Sequence, residues 1–215
     1  MFIGLIFTAD KEALQRVYFV DLTLYYFLLL PASSPATLYY HVSSKKLSAK
    51  TFRGVKGLDI SFPARAASPE RGRQLFVLHC QRCHGVNGEG QLKADGVTYV
   101  YPPLWGAASY QRGSSMHRVI KLAQWLKANM LYDKATPGKP FLSDGAALDL
   151  AAFVNDDRIH KRPYVNDVAY PHPKEKAIDY DKGPFADSFS MSEHKFGPYQ
   201  PIIDFWKKKG MKAVY

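Results

Sequence analysis

Both cysteines of this 215-residue chain fall in one pentapeptide, Cys80-Gln81-Arg82-Cys83-His84. The spacing C-x-x-C-H is the attachment signature of c-type haem. Two thiols so placed can each form a thioether to a vinyl-derived carbon of the porphyrin, and the adjoining imidazole then sits over the iron. The other uses of paired cysteines fit less well. A thioredoxin-like pair opens a helix in a strand-rich unit, whereas this motif ends a predicted helix and runs into Gly85-Val86-Asn87-Gly88-Glu89-Gly90. A structural zinc site needs four ligands, usually with a second C-x-x-C or H-x-H half, and the sequence has none. A disulfide between residues this close would constrain the unfolded chain little. Cys80 and Cys83 are therefore expected to bind one covalent haem c, with His84 as its proximal iron ligand.

Composition agrees with a globular domain plus extensions. Apolar residues make up 47% of the chain, enough for a core, and 14 Tyr, 13 Phe and 3 Trp suit a wall around a flat porphyrin. Ordinary core packing accounts for most of these aromatics. The formal net charge of +10 favours an acidic redox partner protein or a small anion by electrostatic steering. Lysines and arginines are spread along the chain, and the one run, Lys207-Lys208-Lys209, reads as a solvated face. No nucleic-acid motif is present.

Covalent haem is attached outside the bacterial cytoplasm, so the motif predicts a periplasmic protein with an export signal. Lys11 and Arg16 precede an apolar stretch from Val17 to Leu30, and small residues follow it at Pro31-Ala32-Ser33-Ser34. This is the order of charge, apolar run and cleavage zone in a signal peptide. The stretch is short for a bilayer span and is broken by Asp21. Residues 1–67 are read as an export or membrane-anchor segment and linker.

Order is predicted to begin at Ser68-Pro69-Glu70, a good helix start with a Ser cap, Pro at the first position and an early acid. That helix carries Leu75, Phe76, Leu78 and His79 into the haem motif. Pro102 and Pro103 interrupt the segment from Tyr99 to Tyr110, which should be an extended loop. Either proline's carbonyl can accept the His84 Nδ1–H bond that orients a metal-bound imidazole. Ser114 is expected to cap a helix to about Met130, with Met116, Val119, Ile120, Ala123 and Leu126 on its buried face. Ser143 should cap another, Asp144 to about Asn155, whose Ala151 and Ala152 allow close crossing by the first helix. From Arg162 onward little periodicity remains, apart from a short helix allowed at Ile202 to Lys209.

Met130 is the favoured distal ligand, because it stands at a helix end before a loop. Met116 is better suited to core packing, His117 beside Arg118 reads as a surface residue, and Lys127 is a weak candidate. A thioether ligand stabilises ferrous iron and suits an electron carrier, whereas an open sixth position suits ligand binding or catalysis.

The run C-x-x-C-H-G-x-x-G-x-G, then Tyr101-Pro102-Pro103-Leu104-Trp105-Gly106, Ser109-Tyr110, Gly113, Met116 and Asn129-Met130, resembles the second haem domain of the thiosulfate dehydrogenase family. Leu142-Ser143 and Asp149-Leu150-Ala151-Ala152-Phe153-Val154-Asn155 extend the likeness. In the tail, Asp181-Lys182-Gly183-Pro184-Phe185-Ala186-Asp187 and Glu193-His194-Lys195-Phe196-Gly197-Pro198-Tyr199 are similar to that family's C-terminal extension. The resemblance implies a mainly α fold, the class I cytochrome c-like arrangement of helices around one covalent haem, with irregular N- and C-terminal extensions. By it, residues 68–160 are the cytochrome c domain and 161–215 a wrapping tail, with Cys80, Cys83, His84 and Met130 holding the haem and its iron.

Two departures matter. Family members that couple two thiosulfates to tetrathionate have two haem domains, with substrate reacting at the first and the second relaying electrons. This sequence has one motif, and residues 1–67 contain no cysteine. The family's usual proline after the distal Met is here Leu131. The expected function is single-electron transfer in the periplasm, as a carrier or as the relay subunit in thiosulfate oxidation. Two other readings stay open: a thiosulfate dehydrogenase-like oxidoreductase acting at this haem or with a separate haem subunit, and a haem protein that binds small gases.

Overall fold

The hydroxyl of Ser68 accepts the Arg71 backbone N–H, Pro69 takes the first helical position and Glu70 faces the positive end of the dipole. Helix α1, Pro69–Leu75, widens into a π-helical turn at Phe76–Cys80 and tightens into α2, Gln81–His84. The computed structural model describes residues 57–163 and 172–215, all within one compact unit, Ala49–Tyr215. The segment read as an export signal lies outside the described residues. Among the described residues no helix is long and apolar enough to cross a membrane.

Two features depart from the sequence reading between the motif and Met130. The prolines do not exclude all sheet: β1, Gln91–Leu92, pairs antiparallel with β2, Tyr99–Tyr101, which stops at Pro102. The single helix expected from Ser114 is two elements. Ser114 caps a 3-10 turn, Ser115–His117, Arg118 is extended, and α3 runs Val119–Asn129. The cause is remote in sequence. Asp179 Oδ2 accepts the Ile120 N–H at 3.0 Å, and Oδ1 takes the Arg118 guanidinium at 2.6 Å. A carboxylate from the tail thus caps α3, and Arg118 is drawn out of helical geometry to meet it.

Ser143 caps α4, Asp144–Val154, by accepting the Ala146 N–H. Every side chain from Ala147 to Val154 is buried, so α4 is the centre of the core, with α1 and α3 packed against it. Phe76, Ile120, Leu148 and Leu150 fill the contact. The tail is irregular over much of its course but adds two helices, α5 at Met191–Phe196 and α6 at Tyr199–Lys208. Helix α6 covers the short helix the sequence allowed; α5, with a Ser190–Glu193 capping box, was not anticipated. Tyr199, Ile202 and Trp206 insert into the core, while Lys207 to Lys209 are exposed.

Candidate haem site

The imidazole of His84 is buried, and its Nδ1 lies 2.9 Å from the Pro102 carbonyl oxygen. A carbonyl can only accept, so Nδ1 carries the proton and Nε2 presents a lone pair. Burial lowers the pKa of His84, against the opposing pull of the Pro102 bond. The ring is therefore neutral at physiological pH, as an iron ligand must be.

Glycine-loop geometry builds this contact. Gly90 donates its N–H to the His84 carbonyl at 2.8 Å, and Leu104 donates to the Gly88 carbonyl at 2.8 Å. At Gly90, with φ +77°, a Cβ would come within 2.5 Å of the Tyr101 carbonyl oxygen. Only glycine allows the two segments this close. On its other side the proline loop is held by Arg162, which sequence reasoning missed. Its guanidinium donates to Leu104 O, Val154 O and Asn155 Oδ1 and lies 3.9 Å over the Tyr110 ring. Tyr110 donates its hydroxyl to Asn155 as well. The loop that orients His84 is thus pinned to the C-terminal end of α4.

Cys80 and Cys83 are both free and partly buried. Burial pushes the Cys80 thiol up to about 12, with the neighbouring Cys83 adding to the shift. That is the reverse of the activated thiolate of a redox dithiol. Among the described residues no group of three His, Cys, Asp or Glu side chains could hold a metal ion. A pair of unpaired thiols beside a neutral imidazole with a free Nε2 fits an iron porphyrin.

Met130 ends α3: its N–H donates to the Leu126 carbonyl, and its own backbone is extended. The turn after it, Leu131 to Ala135, buries Leu131 and reaches the motif through an ion pair between Arg82 and Asp133 at 2.6 Å. The other ligand candidates are engaged elsewhere. His117 is buried, not at the surface as its neighbour Arg118 suggested; its Nε2 is 3.0 Å from Asp157. Lys127 bonds the Asp59 carbonyl and pairs with Asp144. Met116 packs against the core from its edge.

Residues 69–156 match the cytochrome c family, and they form a cytochrome c domain, whose cofactor is covalently bound haem c and whose role is electron transfer. Cys80 and Cys83 are present in the C-x-x-C arrangement that such a cofactor uses. The chain is similar to the thiosulfate dehydrogenase of Stutzerimonas stutzeri (strain A1501), 39% identical over 93 residues, which is 43% of this chain and 27% of that protein. The thiosulfate dehydrogenase of Allochromatium vinosum is 39% identical over 92 residues, 43% of this chain and 31% of that protein. Among solved structures, thiosulfate dehydrogenase (TsdBA) from Marichromatium purpuratum, in its as-isolated form, matches with 33% identity and a TM-score of 0.45. That match covers 70% of this chain and 30% of the other. The chain thus spans less than a third of the length of these relatives.

Proposed function

We propose that this chain is a mono-haem cytochrome that passes single electrons outside the bacterial cytoplasm, as the relay in thiosulfate oxidation. The observation that carries the reading is His84, the last residue of the one C-x-x-C-H of the sequence, kept neutral by burial and oriented by the Pro102 carbonyl with Nε2 free. Bound haem c supplies an iron that takes up and gives up one electron. Cys80 and Cys83 would tether it, and His84 Nε2 and the Met130 thioether would be its iron ligands. Thioether ligation raises the potential, as a carrier requires. The net charge of +10 draws an acidic redox partner, and a separate haem subunit supplies the thiosulfate-oxidising site. The location follows from where covalent haem is attached.

The relatives' activity favours a second reading, oxidation of thiosulfate at this haem itself. One experiment separates the two. The purified ferric holoprotein should show a low-spin spectrum with a Met-to-iron charge-transfer band that is lost in Met130→Ala. It should also stay oxidised when thiosulfate is added alone. Rapid reduction by thiosulfate without another protein would establish the second reading. Ready carbon monoxide binding and no charge-transfer band would overturn the carrier.

A further inference from the structure

One side chain beside the haem cysteines reaches the turn that follows Met130 directly, and a second is linked to it through a shared ring. Arg82, between Cys80 and Cys83, pairs with Asp133 at 2.6 Å. His79, directly before Cys80, meets the Phe141 ring edge-on at 5.3 Å, and the Lys134 ammonium lies 5.6 Å over that same ring. Asp133 and Lys134 are neighbours, so both contacts draw one turn toward the attachment helix.

The turn has little else to hold its tip. Lys134 and Ala135 donate their N–H groups to the Leu131 carbonyl, which closes the turn on itself. Leu131 is buried, but Tyr132, Asp133 and Lys134 are all exposed. Its polar link to the motif is Arg82 to Asp133, and the sequence separation of 51 residues makes that link a long-range one.

We propose that Arg82 and Asp133 are positioning residues, whose ion pair fastens the Met130 turn to the haem-attachment helix and so keeps the thioether on the iron. This rests on the assignment of Met130 as distal ligand. An exogenous ligand enters only when Met130 leaves, and Met130 leaves more readily when the turn is unfastened. Both partners are about half exposed, at 49% and 50%, so the pair is open to screening by salt.

Imidazole, small and uncharged in its binding form, is the probe for the ferric holoprotein. Arg82→Gln and Asp133→Asn should each raise its affinity about twofold to fivefold, the range of an exposed ion pair. The double variant should gain no more than either single one, and the reversed pair, Arg82→Asp with Asp133→Arg, should return toward wild type. Added salt should raise imidazole affinity in the wild type and leave the single variants unmoved. With imidazole saturating, unfolding midpoints of the variants and the wild type should coincide, which separates ligand positioning from general stability. Wild-type affinity in both single variants, or additive effects in the double, would overturn the fastening while leaving Met130 as ligand. If the wild type lacks a charge-transfer band and Met130→Ala changes no spectrum, the ligand assignment falls and the fastening falls with it.

Discussion

Gly72 of α1 crosses α4 so closely that a Cβ at position 72 would lie 1.9 Å from the Asp149 carbonyl oxygen. The atoms in the way are backbone, which cannot swing aside. In an open helix, Gly to Ala stabilises by about 1 kcal/mol. Here Gly72→Ala should instead destabilise by about 3 kcal/mol, as overpacking of a rigid contact does. Denaturant unfolding of the holoprotein gives the sign, and a gain in stability would show that α1 can slide off α4 without cost.

The Asp149 carboxylate, 3% exposed, ties down the entry to α1. It accepts from Arg65 at 2.8 Å, Arg71 at 3.0 Å and the Ser68 N–H at 2.7 Å. Burial alone would raise its pKa, but these bonds hold it below the ordinary value. The folded state therefore releases the proton more readily than the unfolded one. The resulting stabilisation is complete above the ordinary carboxylate value and is lost as pH falls through the folded one. Asp149→Asn should cost about 2 kcal/mol at neutral pH. It should also flatten the acid limb of the stability curve, as urea titrations at several pH values would show.

His117 titrates in the opposite chemical sense and with the same pH sign. Burial lowers its pKa below the ordinary 6.5, and the Asp157 bond only partly offsets this. Its neutral form is favoured in the folded state, so stability is full above about 6.5 and declines as pH falls below it. His117→Gln keeps a polar contact to Asp157 and cannot titrate. Its unfolding free energy should fall less steeply than that of the wild type between neutral and mildly acidic pH.

Asp179 is fully buried between Arg118 and the first turn of α3. Asp179→Ala leaves that guanidinium and the Ile120 N–H without their acceptor and should destabilise by about 3 kcal/mol. Hydrogen exchange should show the loss first at the Ile120 amide, ahead of amides in the middle of α4. Equal protection at Ile120 in variant and wild type would mean that the cap contributes nothing.

Local signals in the sequence were read well: Ser68 and Ser143 cap the helices they precede, each within one turn. The partner of His84 was narrowed to the carbonyl of Pro102 or Pro103, and Pro102 is the one in contact. What escaped were pairings made by the fold. The α1–α4 crossing was assigned to the small residues Ala151 and Ala152, yet the close approach is at Gly72 on the opposite helix. His117 looked exposed because Arg118 follows it, but that arginine is itself taken up by Asp179. Arg162 bore no local mark of its role, since its acceptors are two backbone carbonyls and an amide drawn from other segments.

Capping of α3 by Asp179 separates what is inherited from what folds. The stretch that carries the cytochrome c signature closes at residue 156. The carboxylate that completes α3, and the Ile202 and Trp206 side chains that finish the core, come later in the chain. A gene trimmed to the recognisable domain would encode the whole haem motif on a body missing part of its interior. Any transplant or fusion of this module should therefore carry its final helix along, because the boundary visible to evolution lies well inside the boundary set by packing.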